Sequence, residues 1–525
     1  MLRERRSLRV EPPVVVAAGA LLVAFVDIVS AVTPVLTDRF DLFKAMLPMG
    51  ADDVARSLTF ASGIALIWLS GGLARRKHRA WLAALGVVTF AAGAHLVKGF
   101  DIEEAVGSLA LIFALLRLRR WFDVPGDPTS LRPLVTGLAV ALAAWAVVGS
   151  TSDAHTNRIT DLGFEVAIAA GAFWALHQWL RAHREPVGQT DADHERARGL
   201  VAEHGDDSLS FFALRRDRRY MFSRGGNAFL AYRVVAGCAL VAGDPIGAPG
   251  EVPSLVDDFR AVCRERGWRF VVLHASERWL ELYRDRGLRA FPSGDEAVLD
   301  PASFSLEGRA IRKVRQSVAR LERAGFAFRV AAPDELSESE RSDIDAVTRE
   351  WLGGAVDRGF SMAMDDLHGH PQARFALATD GEGRVRGYLH LVPSVRGYSL
   401  SAMRRGRSTP NGLMEYLIVH TASWAAPRGV EELSLNFAAF ADVLRAGDAA
   451  PMHMRLGRLA LLRLDSFFQL ERLYSFNRKF HPAWRTRYIC YERAIDVPVL
   501  SLATLHAERL IGPPARFAAR RRAVR

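Results

Sequence analysis

The chain has 525 residues and a formal net charge of +11, and half of its residues are hydrophobic; it is too long for one ordinary domain and basic enough to expect anionic partners such as phospholipid headgroups or nucleic acid. Three scattered cysteines, Cys238, Cys263 and Cys490, lie without metal-ligand spacing, which argues against a disulfide framework and fits a reducing compartment. Apolar runs dominate from Pro12 to about Leu180, whereas charges recur every few residues from Arg181 onward, so a membrane part is expected ahead of a soluble part.

Six helical spans are expected in residues 1–180, because a bilayer core takes roughly 20 mostly apolar residues per helix. They are Pro12 to Leu36, Ser57 to Leu73, Ala80 to Val97, the short Ala105 to Leu116, Leu134 to Gly149, and Leu162 to Leu180, which carries Glu165 and His177. Arg3, Arg5, Arg6 and Arg9 precede the first span, "ARRKHR" (Ala74 to Arg79) follows the second, and "RLRR" (Arg117 to Arg120) follows the fourth. Short cytoplasmic loops are enriched in Lys and Arg, so both termini and the soluble part are expected on the cytoplasmic side of a cell membrane. The long first run, followed by further spans, is unlike a cleaved signal peptide. Asp27, an intramembrane acid, fits a functional role, helix pairing or a headgroup-level position.

Residues 181–206 read as a linker ending in a polar helix. A first α/β half, 207–305, follows: a hairpin in "NAFLAYRVVAGCALVAGDPIG" (Asn227 to Gly247) turning at "VVAG", a helix near Val252 to Arg266, a strand "RFVVLHA" (Arg269 to Ala275) and a helix at Glu277 to Gly287. Residues 306–325 form a basic connecting helix. The second half, 326–500, repeats the mixture: "FAFRVA", a helix near Ser337 to Leu352, the strands "ARFALATD", "VRGYLHLVPSV" and "YSLSAM", a helix from Gly412 to Ala426 and a strand at Glu431 to Phe440. Residues 501–525 are a basic tail suited to a membrane surface or to nonspecific charge contacts.

The connecting stretch "EGRAIRKVRQSVARLERAGF" (Glu307 to Phe326) sorts by face. At about 100° per residue, Arg309, Arg312, Lys313, Arg320 and Arg323 share one sector and Ile311, Val314, Val318 and Leu321 the opposite one. The apolar side packs. The basic side is either a solvated face partnered by Glu307 and Glu322 or a row of guanidinium groups for phosphate oxygens. "YSFNRKFHPAWRTRYICYE" (Tyr474 to Glu492) mixes bases and aromatics, as nucleotide or headgroup contacts require; a plain strand with snorkelling bases is the alternative. "VAGDPIG" (Val241 to Gly247) also reads as an ordinary turn, and Glu415 in "NGLMEYLI" (Asn411 to Ile418) as a dipole-stabilised helix start. There is no Gly-Lys dipeptide for a phosphate-binding loop, and "HGH" (His368 to His370) lacks zinc spacing. No metal and no cofactor are expected, and any acyl transfer would start from an activated donor.

These motifs in this order, together with "GDEAVLD" (Gly294 to Asp300), "RGFSM" (Arg358 to Met362) and "LSLNFAAF", resemble the lysyl-phosphatidylglycerol synthase, or multiple peptide resistance factor, family over about residues 207–495. The resemblance implies an all-α transmembrane bundle followed by an α/β domain of two tandem GNAT-type folds joined by the basic helix. It implies an aminoacyltransferase that moves an aminoacyl group, lysyl above all, from aminoacyl-tRNA to phosphatidylglycerol, which lowers surface negative charge and gives resistance to cationic antimicrobial peptides. The basic helix would hold the tRNA, and anionic membrane lipid would be the second partner; the oligomeric state is left open. Six spans leave no room for the extra translocase spans of the family's long form, and no lysyl-tRNA synthetase module is expected. Arg404, Lys479 and Arg487 are expected to contact phosphate or oxyanion. Glu415 and Asn436 are expected to position the amino acid, Asp244 to shape the first half, and Ser361 and Ser401 to line the substrate. "SLSAMR" departs from the family pattern by placing Ser401 where an acid precedes the arginine by three, and "GDEA" replaces the commoner "GEEA" with charge kept at Asp295. Another lipid or cell-wall acceptor, or an inactive scaffold binding tRNA or anionic lipid, remain the alternatives.

Overall fold

The computed structural model describes residues 12–32, 51–99, 102–126, 179–180, 188–354, 359–360, 362–439 and 473–509. The chain divides into two compact units, residues 1–184 with 262–268 and residues 185–261 with 269–525.

In the first unit, α1 (Pro12–Val32), α2 (Ala51–Leu73), α3 (His78–Gly99) and α4 (Ile102–Arg117) stand at the first four expected spans. Val16, Ala20, Ala24, Leu66, Leu73, Ala84, Val88, Leu111 and Leu115 form their common core. Gly63 allows α1 and α2 to approach, since a Cβ there would lie 2.9 Å from the Ala24 carbonyl oxygen, the small-residue contact that packs helices in lipid. Leu22, Phe25, Phe60, Ile67 and Phe113 face outward. Among the described residues one helix, Pro12–Ser30, is long and apolar enough to cross a membrane, where the sequence leads us to expect six spans. The expected spans at 134–149 and 162–180 lie outside the described residues, apart from Trp179 and Leu180.

The second unit is built on one continuous sheet. Its strands are β1 (Arg219–Phe222), β2 (Ala228–Val235), β3 (Cys238–Ala242), β4 (Ile246–Gly247), β5 (Arg269–Ala275), β6 (Arg289–Leu299), β7 (Ala327–Ala331), β8 (Arg374–Thr379), β9 (Val385–Ser394), β10 (Gly397–Arg405), β11 (Glu432–Ala439) and β12 (Ala483–Tyr491). The order is β1-β2-β3-β5-β12-β6-β11-β10-β9-β8-β7, with β4 pairing β2. Its helices are α5 (Asp191–His204), α6 (Val252–Glu265, whose last four residues count with the first unit), α7 (Leu280–Asp285), α8 (Arg312–Arg323), α9 (Glu338–Leu352), α10 (Leu413–Ala425) and α11 (Val497–Ala507). The β2–β3 hairpin closes over Ala236 and Gly237, both at positive φ (50° and 73°), the twist-matched two-residue turn that hairpins favour. Each half contains one parallel pair bridged by a helix: β3 and β5 across α6, and β10 and β11 across α10.

Three features differ from the sequence reading. β12, from the C-terminal stretch, stands between β5 and β6, so the second half lends its last strand to the middle of the sheet. This is the plain-strand alternative for Ala483–Tyr491. Residues 191–204 are part of the packed unit rather than a linker: Thr190 caps α5 by accepting the Asp193 N–H, and Ala197 and Leu200 are buried with Phe211, Phe212 and Phe229. The basic helix begins at Arg312, not at the expected residue 306; Gly308 at φ 87° breaks the backbone ahead of it. Its apolar face is the expected one: Ile311, Val314, Val318 and Leu321 are buried beside Leu413, Met414 and Leu417 of α10, each such aliphatic worth about 1.5–3 kcal/mol on burial. Gly412, at φ 95°, lets α10 start against α8, where a Cβ would meet Ser317.

Candidate functional site

The site starts from a break in strand pairing. β10 and β11 pair only from Gly397 to Ser399 against Glu432 to Ser434. Beyond that, β10 bulges between Leu400 and Ala402, which pushes Ser401 out of register. β11 shifts between Ser434 and Phe437, with Asn436 at φ 67°, a strained setting for a residue other than glycine. Segment 362–364 lies against this break. Asn436 Nδ2 donates to the Met362 carbonyl at 2.8 Å and to the Leu400 carbonyl at 2.9 Å. The Ser401 hydroxyl accepts the Met364 N–H at 3.0 Å.

A buried charge network adjoins the break through Ser434, whose hydroxyl donates to Glu296 Oε1 at 2.6 Å and accepts the Asn436 N–H at 3.2 Å. Arg487, 3% exposed on its side chain, bridges Glu296 (2.5 Å) and Asp207 (2.7 Å) and donates to the Ser208 hydroxyl at 2.7 Å. Burial alone would lower the pKa of that guanidinium, but Asp207 and Glu296 outweigh it and raise the value. A buried cation is tolerable only when matched in this way. Thr486 donates to Asp295 at 3.0 Å and Ser399 to the Ser208 carbonyl at 2.7 Å. Two carboxylates thus already hold the charge of Arg487, the residue expected to contact phosphate or oxyanion.

At the carboxyl ends of the parallel strands β3 and β5, where crevices open in α/β sheets, Asp244 accepts the Ser276 N–H at 3.1 Å. The residue keeps a partly accessible surface while its carboxyl is enclosed; burial first, then the charge of Asp207, pushes its pKa up to about 7. His274, at φ 61°, makes a 3.2 Å hydrogen bond with the Ser293 hydroxyl, and burial lowers its pKa. Glu508 accepts the Phe360 N–H at 2.6 Å, and buried Arg218 donates to the Phe360 carbonyl.

Glu415 and Lys479 form their own pair at 2.8 Å, with Lys479 46% exposed and 5.0 Å above the Phe476 ring. Arg404 is buried on β10 opposite Tyr388. Arg309, Arg312, Lys313 and Arg323 are exposed along α8 and the turn before it, while Arg320 donates to the Asn411 carbonyl. Ser361 lies outside the described residues. The structure thus joins Asn436, Arg487 and, through segment 362–364, Ser401, sets Asp244 beside them through Asp207, and leaves Glu415 with Lys479 apart. The sequence singles out none of Asp207, Ser276, Glu296 and Ser434 individually; Glu296, inside "GDEA", and Ser434, inside "LSLNFAAF", stand in motifs that could find them. A cavity of about 540 Å³ opens beside Asp206 and is lined also by Arg198, His204, Phe211, His370 and Val395. Among the described residues no group of three metal-ligating side chains is assembled.

Chemically, the arrangement offers an enclosed carboxyl whose pKa is pushed up to about 7, a strand break held by segment 362–364, and an exposed basic helix for an anion. The family described as Phosphatidylglycerol lysyltransferase, C-terminal, matches residues 198–491. Lysylphosphatidylglycerol biosynthesis bifunctional proteins LysX of Mycobacterium marinum and Mycobacterium avium are 33% and 34% identical over 509 residues, covering 87% of this chain in both cases. They are matched over 46% and 43% of their own length, so the chain spans less than half of these curated relatives. Among solved structures, L-PGS from Bacillus licheniformis is 24% identical with a TM-score of 0.55, over 62% of this chain and 98% of that one. The C-terminal DUF2156 domain of an Agrobacterium fabrum protein is 24% identical with a TM-score of 0.51, over 60% and 96%. At that identity the likeness establishes the α/β fold.

Proposed function

The chain belongs to the lysylphosphatidylglycerol synthase family, and on that premise we propose that it transfers an aminoacyl group, lysyl foremost, from aminoacyl-tRNA to phosphatidylglycerol. It does so as a multi-pass protein with its two GNAT-type halves, joined by α8, on the cytoplasmic face of the cell membrane. The product carries a new ammonium group, which lowers surface negative charge and gives resistance to cationic antimicrobial peptides. The observation that carries this reading is the family match over residues 198–491.

The reaction is a transesterification. A glycerol hydroxyl of the lipid attacks the ester carbonyl, the hydroxyl gives up its proton, and the tRNA ribose oxygen leaves and takes one back. Rate comes from holding two large anionic substrates together and from moving that proton. Asp244, near half-protonated at neutral pH, is suited to accept and return a proton. Arg487 holds Asp207 in place beside it and ties Glu296 into the same network, and Asn436 and Ser401 fix segment 362–364 at the strand break, Ser361 immediately preceding that segment in sequence. Lys479 and Arg404 are the cations offered to phosphate or oxyanion, with Glu415 offered to the amino acid's ammonium. Arg309, Arg312, Lys313, Arg320 and Arg323 supply the side that faces the tRNA phosphates.

The testing experiment is lipid extraction from cells expressing the chain with and without Lys479→Ala, followed by mass spectrometry. An aminoacylated phosphatidylglycerol that disappears in the variant supports the proposal and identifies the amino acid. No new lipid, with the protein present in the membrane, would overturn it in favour of another acceptor or a non-catalytic scaffold.

A further inference from the structure

Three features that a fold ordinarily avoids converge on one residue, Phe360. Its N–H donates to Glu508 Oε2 at 2.6 Å and its carbonyl accepts from Arg218, so both backbone polar groups are held by buried side chains of opposite charge. Arg218 is 1% exposed and sets its guanidinium 4.7 Å above the Phe360 ring. Its Nε has no hydrogen-bond partner, and among the described residues no carboxylate hydrogen-bonds it; Asp217, its neighbour in sequence, is taken by Arg215 at 2.9 Å and by Arg233 at 3.3 Å. Behind Glu508 stands His274, whose Nε2 lies 3.9 Å from Oε1 and whose Nδ1 meets the Ser293 hydroxyl at 3.2 Å. The backbone of His274 is at φ 61°, a strained setting for a residue other than glycine.

Folding alone does not call for these features. An apolar side chain of similar length in place of a buried charge is often neutral or stabilising, and the Phe360 ring already packs in a cluster with Val235, Leu240, Leu500 and Ala503. What the opposed charges add is a fixed backbone at the start of a stretch that is anchored from two sides. Asn436 and Ser401, at the β10–β11 break, hold the Met362 carbonyl and the Met364 N–H. From the first half, Arg215 holds the Ala363 carbonyl, and the Arg216 N–H donates to Asp365 at 2.9 Å. Buried charge and backbone strain kept together at a site are the mark of preorganisation.

We propose that Arg218 and Glu508 are positioning residues for aminoacyl transfer: by gripping Phe360 between opposite charges they set residues 362–364 at the β10–β11 break, where the reacting ester and hydroxyl are aligned. The inference rests on the transfer reading and adds to it two residues that act through the backbone and touch no substrate. A clamp that served folding alone would change the melting temperature and leave the turnover of the folded protein as it is.

The experiment uses the full chain in phosphatidylglycerol nanodiscs with lysyl-tRNA as donor, comparing the parent with Arg218→Met, Arg218→Lys, Glu508→Met and Glu508→Gln. Melting temperature, kcat, both KM values and hydrogen exchange of the peptide carrying Phe360 and Met364 are read for each. Both Met variants are expected to speed exchange in that peptide and not in β2, and to lower kcat by about 10- to 100-fold while each KM stays within about twofold. Arg218→Met should melt no lower than the parent, and the Lys and Gln variants should recover part of kcat. Folded Met variants that turn over like the parent, or that lose activity through KM alone, would overturn the proposal, as would failure of both to fold, which would mark the clamp as structural. A parent that forms no lysylated phosphatidylglycerol would overturn the transfer reading itself and the proposal with it, whereas an active parent with equally active variants would overturn the proposal alone.

Discussion

The Ser401 hydroxyl accepts the Met364 backbone N–H at 3.0 Å from within the β10 bulge, so the position that departs from the family's acidic pattern is occupied in holding a neighbouring segment. Ser401→Ala leaves that buried N–H without its acceptor, a loss of about 1–3 kcal/mol to be read as a lower melting temperature. Ser401→Asp keeps an acceptor and adds a charge, and should change the amino-acid preference among aminoacyl-tRNA donors in a competition assay. Equal preference in both proteins would remove position 401 from amino-acid selection.

Arg487→Met strips the counter-charge from Asp207 and Glu296, the latter fully buried. Removing one partner of a buried pair costs about 3–5 kcal/mol, so thermal unfolding in detergent should move down by many degrees. Adding Glu296→Gln should recover part of the loss; no recovery would mean that packing, not charge, sets the effect.

Asp244 binds its proton more tightly folded than unfolded, with a pKa of about 7 against an ordinary aspartate value of 3.8. Its contribution to stability is therefore complete below the unfolded pKa and is lost as pH rises through about 7. Asp244→Asn stays neutral throughout and should melt higher than the parent above neutral pH, by an amount on the order of a few kcal/mol, with a flatter dependence across the window. If the carboxyl moves the proton in transfer, kcat should also fall while KM holds. A parent melting curve independent of pH in that window would contradict the shifted carboxyl.

Arg312 and Lys313 are exposed on α8. Replacing both by Ala should leave the melting temperature unchanged and reduce the slope of log affinity for tRNA against log salt by roughly 1–2, since the slope tracks phosphate contacts. An unchanged slope would take the tRNA away from this helix.

What the sequence showed and what it hid divide by distance along the chain. Ile311, Val314, Val318 and Leu321 could be placed on a buried face because helical periodicity is local, and "VVAG" marked its hairpin for the same reason. Helical periodicity runs on through Gly308, whose positive φ breaks the backbone, so the pattern alone extends the helix too far toward the N-terminus. The network around Arg487 had no such signal: Asp207 is 280 positions away and Glu296 is 191. Nothing local announces that residues 483–491 will part β5 from β6, although strand-forming residues there allowed the strand itself. Lys479 and Glu415 were each read alone, and only the fold makes them a pair.

The place of β12 also orders the birth of the domain. β5 and β6 are complete by Leu299, yet each has an edge that residues 483–491 must cover. While the intervening chain is being synthesised, those edges are open to any other strand. Nascent chains stalled before Tyr491 should consequently be held by chaperones or degraded, and the α/β unit should acquire protease resistance in one late step, well after the strands of its first half have emerged from the ribosome.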